Sequence, residues 1–234
     1  MALAAHQLWT KRLTVPAYPV SEAARYARTT PQTINNWQRN RKYAGIISDR
    51  ESGTGLSYLQ LIEVGVVAAM RKSGVKLPKI KQTRNYMANE LKSDFPFAEY
   101  RFKTDGRELF VSHDQLDNNG DAEKLVTVSE NGQLAWTKIL AQLLQEFEYD
   151  DDFNKVSAWR VGGMDSPIRI DPRISFGAPQ VSGTPTWVLR ERWNAGESVG
   201  DIAEDYQISS QMVWSALRFE GVNVDPDRHD RWVN

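Results

Sequence analysis

The 234-residue chain contains no cysteine. That excludes a disulfide framework, a thiolate metal site and a cysteine nucleophile. It is compatible with a reducing cytoplasm. Histidine is scarce, and His6, His113 and His229 lie far apart. No His-Glu-x-x-His helix, Gly-x-Ser-x-Gly elbow or Cys-x-x-Cys pair occurs. The carboxylates fall in surface-like runs, not between apolar segments that would shift their pKa. The chain therefore reads as a non-enzyme with no cofactor and no metal. Long apolar runs are also missing. The longest, near Ile62 to Met70, contains Glu63 and is too short to span a bilayer. Lys11 and Arg12 follow the short apolar start instead of preceding it, unlike a signal peptide. The expected location is cytoplasmic, with no membrane partner. Gly53 and Gly55 enrich one turn, but the Lys-Ser/Thr of a phosphate-binding P-loop is lacking, so nucleotide binding is set aside.

Net charge is nearly absent as well, at −1 with a pI near 6.3, which taken alone argues against nucleic acid. The distribution argues otherwise. Residues 1–103 hold 17 Lys and Arg against 7 Asp and Glu, a balance of +10; residues 104–234 hold 12 against 23, a balance of −11. One half suits a polyanion and the other repels it.

The stretch from Pro19 to Lys42 reads as two short helices joined by a tight turn. Ser21 is expected to cap the first, with Val20, Ala24 and Ala27 inward. Thr30 caps the second, and Pro31 takes its first position, where a missing N–H costs nothing. Ile34 and Trp37 share one face and dock on the first helix. Gln32, Thr33, Asn36 and Arg39 then point outward, followed by Arg41 and Lys42. Amide side chains read adenine edges and Arg reads guanine or phosphate, so a polar second helix with a basic exit suits a major groove. Many helical hairpins of this kind bind nothing, and the charge split is what favours DNA.

Before the pair, Leu8, Trp9, Leu13 and Tyr18 anchor a lead-in, with Trp9 in the core or at a partner. After it, Ile46-Ile47, the Ser-Gly-Thr-Gly turn and Leu56 predict a small β-hairpin, a wing from which Arg50 reaches phosphate. A helix over 57–73 carries Leu59, Ile62, Val66 and Met70 on one stripe and ends at Gly74. Another begins near Leu77, with Ile80, Met87 and Leu91 inward and Lys76, Lys79, Lys81 and Arg84 exposed, either on DNA backbone or simply solvated.

The segments Ser-Glu-Ala-Ala-Arg, Thr-Pro-Gln-Thr-Ile-Asn-Asn-Trp, Leu-Ser-Tyr-Leu-Gln-Leu-Ile-Glu and Arg-Lys-Ser-Gly-Val-Lys-Leu-Pro-Lys-Ile-Lys, across residues 18–90, resemble the winged helix-turn-helix of MerR-type regulators. The resemblance implies a dimer that binds DNA through its second helix and wing. No long coiled-coil helix follows and no sensing motif ends the chain, so metal or drug sensing is not carried over. Thr30, Gln32, Thr33, Asn36, Arg39, Arg41, Lys42 and Arg50 are the candidate DNA contacts.

Residues 93–165 read as a small α/β middle, a possible dimer contact. A hairpin turns at Thr104-Asp-Gly-Arg107. Lys124 to Ser129 is a strand, and Gly132 to Phe147 a helix with Trp136, Leu140, Leu143, Leu144 and Phe147 on one side. Glu146, Glu148, Asp150, Asp151 and Asp152 form an acidic run without the glycine bend or ligand alternation of a calcium loop. Gly162-Gly163 is expected to be a linker.

From Ile168, short strands broken by Pro and Gly lead into three helices. The first is capped by Thr184-Pro185, with Val188, Leu189 and Trp193 inward, and stops at Gly196. Ser198 and Asp201 cap the second, and Ser209 or Ser210 starts the third, with Val213, Ala216 and Leu217 inward. Residues 186–220 carry 3 Arg against 6 acids, which disfavours phosphate. Met212, Trp214 and Phe219 read as exposed and suited to a protein partner, with core burial as the alternative for each.

Asp171-Pro172, Gly177, Pro179, Gly183-Thr184, Gly196, Ser198, Ile202-Ala203-Glu204-Asp205-Tyr206 and Ala216-Leu217 resemble a prokaryotic domain of unknown function found in VapB-type antitoxins. Pro185-Thr186 departs from it, standing where that domain usually has Arg and an apolar residue. The resemblance implies a PIN-domain ribonuclease toxin as partner. In short VapB antitoxins a C-terminal tail enters the toxin; Arg228 or Arg231 with Trp232 would serve here, unless the end is merely frayed.

The expected fold class is mainly α with small β-hairpins, α+β. It comprises a winged helix-turn-helix over 1–92, the α/β middle over 93–165, a three-helix, helix-turn-helix-like domain over 166–222 and a polar tail over 223–234. The expected function is an antitoxin that neutralises its toxin by direct binding and represses its own operon as a homodimer on double-stranded DNA. A stand-alone dimeric transcription regulator with a C-terminal oligomerisation module is the alternative, and a pure interaction protein the third. The partner-binding candidates are Met212, Trp214, Arg228, Arg231 and Trp232.

Overall fold

The computed structural model describes residues 9, 11–39, 45–99, 142–150 and 155–223. The chain divides into two compact units, Met1–Ala158 and Trp159–Asn234. The hairpin near 104–107, the strand at 124–129, most of the helix expected over 132–147, and Asp151 and Asp152 lie outside the described residues. The described elements are helices together with a five-stranded sheet, β1 to β5 in chain order, an α+β composition.

In the first unit, α1 (Val20–Tyr26) and α2 (Pro31–Arg39) precede α3 (Tyr58–Lys72) and α4 (Leu77–Leu91), and a single 3-10 turn, Pro96–Ala98, follows. Ser21 does not cap α1. Pro19 holds that position without a side-chain bond, and Ser21 lies exposed within the helix. The inner face of α1 is Ala23, Ala24 and Tyr26, while Val20 and Ala27 are only half-buried. The short helix is rotated from the expected face because Tyr26, the larger apolar surface, takes the core.

α3 begins with a reciprocal capping box that the pattern did not reveal. Gln60 N–H donates to Ser57 Oγ at 3.3 Å, and Ser57 N–H donates to Gln60 Oε1 at 2.9 Å. The expected stripe is buried, and so are Leu61, Val64 and Val67. A helix apolar on nearly every side belongs inside a domain, not on its surface, and α3 is the central helix of this unit.

Glu63 stands fully buried in the middle of α3. Ser48 donates to its carboxylate through both its backbone N–H (2.8 Å) and its hydroxyl, and Arg84 Nε donates at 3.2 Å. Arg84 also reaches the Asp94 carbonyl at 2.6 Å. Arg84 is therefore not a free surface cation; its side chain is 12% exposed and serves Glu63. Burial pushes the Glu63 carboxyl above the usual carboxylate range, and Arg84 and Ser48 only partly oppose it. On α4, Ile80 and Met87 are buried, Lys76 is exposed, and Lys79 and Lys81 are half-buried.

The wing hairpin is not present. Residues 46–55 contain no strand, and Leu56 forms an isolated antiparallel bridge with Tyr18 instead. Leu56 N–H donates to the Tyr18 carbonyl at 2.7 Å and Tyr18 N–H donates back at 2.9 Å. Gly55 is obligatory for this approach, because a Cβ there would sit 2.7 Å from the Tyr18 carbonyl oxygen. The lead-in takes the pairing that a returning hairpin strand would have used.

Residues 142–146 are helical, but Phe147 opens β1 (Phe147–Asp150) instead of closing the helix. β2 (Lys155–Arg160) follows. Lys155 Nζ meets Glu99 Oε1 at 2.5 Å, and Ser93 Oγ meets the same oxygen at 2.5 Å.

In the second unit, Trp159 and Arg160 pair antiparallel with Ile170 and Arg169 of β3 (Arg169–Ile170). Gly162-Gly163 is thus a turn between paired strands, not a linker. Both residues have φ above +100°, where glycine alone is unstrained. β4 (Gln180–Val181) and β5 (Thr184–Pro185) complete the sheet. Thr184-Pro185 is therefore strand as well as helix entry, and Pro185 caps α5 (Thr186–Asn194) without a side-chain bond. Ser198 caps α6 (Val199–Asp205) and Ser209 caps α7 (Ser210–Phe219), each hydroxyl accepting the N–H three residues on. Ile168, Val181, Leu189, Ile202, Val213, Ala216 and Leu217 form the core.

Two pins hold this helix trio. Arg192 joins Glu197 and Asp205 and lies 5.4 Å from the Tyr206 ring centroid. Glu220 accepts from Thr186 Oγ1 at 2.5 Å and from Arg190 Nη1 at 3.1 Å, tying the end of α7 to the start of α5.

The raised carboxyl of Glu63 has a defined sign in stability. Its contribution is fully present below the ordinary carboxylate pKa and is lost as pH rises through the folded value. Melting curves across pH are expected to show wild type losing stability relative to Glu63→Gln as pH increases; parallel curves would refute it.

Candidate nucleic-acid interface

α2 sets an exposed polar face on a buried rail. Thr30 Oγ1 accepts the Thr33 N–H at 3.1 Å and lies 2.8 Å from Thr33 Oγ1, so the helix start is capped as its sequence predicts. Ile34 and Trp37 are buried, and α2 packs on α1. The turn between the two helices is closed by Arg28 at φ +53° and by Thr29 N–H donating to the Ala24 carbonyl at 2.8 Å.

Gln32 and Arg39 are exposed, and Thr33 and Asn36 are half-buried. Gln32 Nε2 donates to Asn36 Oδ1 at 3.1 Å. The two amides are aligned one helical turn apart, leaving donor and acceptor groups that match the N7 and N6 edge of adenine. Arg41 and Lys42 lie outside the described residues.

Arg50 is a different kind of candidate. Its Nε donates to Gln38 Oε1 at 2.8 Å, Nη2 to Asn35 Oδ1 at 2.7 Å and Nη1 to the Thr54 carbonyl at 2.5 Å. Gln38, itself buried, donates to the Ser48 carbonyl at 2.8 Å. The loop after α2 is thereby stapled to α2 by side chains, in place of the backbone ladder a hairpin would provide. Burial, and then the charge of neighbouring Arg39, lower the Arg50 pKa from its ordinary value. Asn35 and Gln38 were missed in the sequence. The available signal was their place beside Ile34 and Trp37, on the half of the helix that faces the protein.

In the second unit, Met212, Trp214 and Phe219 are half-buried and pack against the core. The Trp214 ring meets Trp193 edge-on at 5.6 Å, and Met212 Sδ accepts from Ser182 Oγ at 3.7 Å. The large apolar side chains most open to solvent in this unit are Phe176 (80%), Trp187 (51%) and Met164 (48%). Phe176 sits in a run of left-handed residues, with φ of +47° at Ser175, +57° at Phe176 and +81° at Gly177. Held that way, an aromatic ring is presented at a backbone cost of order 1–3 kcal/mol. Periodicity could not find it, because it lies in a single 3-10 turn, Ser175–Gly177, too short to show a period. Arg228, Arg231 and Trp232 lie outside the described residues. Among the described residues no three or more His, Asp or Glu side chains group as a metal site, and no helix is long and apolar enough to cross a membrane.

Residues 168–219 match the family described as "Protein of unknown function (DUF433)". The chain is 26% identical over 227 residues to the protein named "Putative antitoxin VapB45" of Mycobacterium tuberculosis, covering 88% of this chain and 94% of that one. It shares its fold with the crystal structure of Rv2018 from Mycobacterium tuberculosis, at a TM-score of 0.70 and 22% identity, covering 88% of this chain and 99% of the other.

The division of α2 into rail and reading face predicts two separable losses. Trp37→Ala is expected to cost about 3–5 kcal/mol of stability, and Asn36→Ala less than about 0.5 kcal/mol. Denaturant titration of both variants checks this; equal destabilisation would mean that Asn36 is a packing residue.

Proposed function

We propose that the chain is an antitoxin whose first unit binds double-stranded operator DNA as a homodimer and whose second unit binds and silences a PIN-domain ribonuclease toxin, with repression of its own operon as the result. The observation that carries the reading is the construction of α2. Ile34 and Trp37 are fixed inward, while the hydrogen-bonded Gln32–Asn36 pair and Arg39 are turned outward within residues 1–103, the stretch with 17 Lys and Arg against 7 Asp and Glu. Similarity to a protein named as an antitoxin, across nearly the whole of both chains, supports the toxin half.

The two halves follow from opposite electrostatics. A cationic reader gains affinity by releasing counterions from a duplex. The three-helix unit, with its surplus of acids over residues 186–220, is unsuited to phosphate and free to face protein. Phe176 and Trp187 supply the kind of exposed aromatic anchor that dominates protein interfaces. Thr30 in this reading acts through the cap, and Gln32, Thr33, Asn36 and Arg39 face the groove.

Gel retardation with a duplex from upstream of the protein's own gene tests the DNA half. Arg39→Glu is expected to abolish retardation at moderate salt with an unchanged melting temperature, and Arg218→Glu, at an exposed position of α7, to leave it intact. Co-expression with the adjacent ribonuclease tests the other half. Wild type is expected to co-purify with the ribonuclease and suppress it, and Phe176→Asp with Trp187→Asp to weaken capture at least about tenfold. DNA binding without any ribonuclease capture would favour a stand-alone regulator.

A further inference from the structure

A cleft of about 620 Å3 opens on the first unit between the start of α1, the last turn of α2 and the turn at 53–55. Pro16, Ala17, Pro19 and Val20 line one side; Asn35, Arg39, Arg50, Gly53, Thr54 and Gly55 line the other. We propose that this cleft seats one sugar-phosphate strand of the duplex, separately from the base-reading face of α2. The proposal rests on the DNA-binding reading and specifies where the backbone lies.

The charge arrangement carries the argument. Among the described residues the three acceptors of Arg50 are neutral: two side-chain amide oxygens and one backbone carbonyl. They fix the plane of the guanidinium and leave its charge uncompensated. Arg39 stands near enough to lower the Arg50 pKa through its own charge. Among the described residues no carboxylate lines the cleft. Two cations sharing a partly buried recess repel one another, and an anion between them converts that repulsion into attraction. The neutral staple makes the recess preorganised: Arg50 spends its hydrogen bonds on Asn35, Gln38 and Thr54, so the loop and α2 move together.

The opposite wall selects among anions. Proline rings, a methyl and a valine offer nothing to a free phosphate, but they suit the apolar face of deoxyribose. Asn35 and Arg39 also lie on α2 next to Asn36, so a strand in the cleft would border the groove that the outward face of α2 enters. Phosphate contacts of this kind set register and orientation while the amides read sequence.

The test uses the full chain, a duplex of mixed sequence and inorganic phosphate as separate probes. Ala17→Trp fills the cleft without altering charge, since Ala17 is exposed and contributes its backbone N–H, not its side chain, to the Leu56 carbonyl. It is expected to lower duplex affinity at low salt about tenfold, and Arg39→Gln to reduce the slope of log K against log salt by about one phosphate contact. Inorganic phosphate is expected to show no saturable binding. Wild-type affinity in Ala17→Trp together with an unchanged salt slope in Arg39→Gln overturns the proposal. Saturable phosphate binding that Arg39→Gln removes while duplex affinity persists also overturns it, in favour of a free-anion site. If Ala17→Trp fails to fold, Ala17→Glu, which sets a carboxylate in the same recess, is read in its place: reduced duplex affinity at low salt supports the cleft and wild-type affinity overturns it. Wild type that ignores every duplex removes the DNA-binding reading itself, whereas duplex binding insensitive to both variants removes only the cleft.

Discussion

A carboxylate with no access to water lies at the centre of the first unit, and the placement of α2 depends on it. Glu63 collects Ser48 from the loop after α2 and Arg84 from α4. Its own burial is unfavourable, because an ionised group taken out of water must recover the loss from partners. Those partners are long-range in sequence, so meeting the need of one side chain fixes three segments at once. Ser48 in turn accepts from Gln38 through its carbonyl, which carries the constraint onto α2. Gln60 adds a parallel restraint by holding the Asp49 carbonyl at 2.5 Å while completing the α3 cap.

This polar framework stands where the residue pattern predicts a hairpin. A hairpin stiffens itself through its own ladder of backbone bonds. Here residues 46–55 lack that ladder and are stiffened by Arg50, Gln38 and Gln60. The outcome is a rigid loop presenting a cation beside α2, reached by side-chain chemistry. Side-chain networks are more specific than ladders and less forgiving, since every partner must be present for the buried members to be satisfied.

The second unit solves a different problem. It is small, its strands are two residues long, and it coheres through one apolar cluster with two charged pins at its edges. Arg192 closes α5 against α6, and Glu220 closes α7 against α5. With its helices pinned from within, the unit can carry exposed aromatics at Phe176 and Trp187 without surrendering its core.

What could be read directly from residue order was local. The caps at Thr30, Ser198 and Ser209, the stops at Gly74 and Gly196, the buried pair Ile34 and Trp37 and the opposite charge of the two halves all depend on neighbours a few positions away, or on summation alone. Ser21 and Phe147 were misread because a cap or a helix end is settled by what else competes for the same backbone groups. The tertiary structure alone decided that Leu56 pairs with Tyr18, that Arg84 turns inward to Glu63, that Gly162-Gly163 folds strands together, and that Trp214 lies on Trp193 while Phe176 faces solvent. Each of these joins atoms distant in the chain or sets one side chain's burial against another's. Residue order fixes no such balance until the chain has closed on itself.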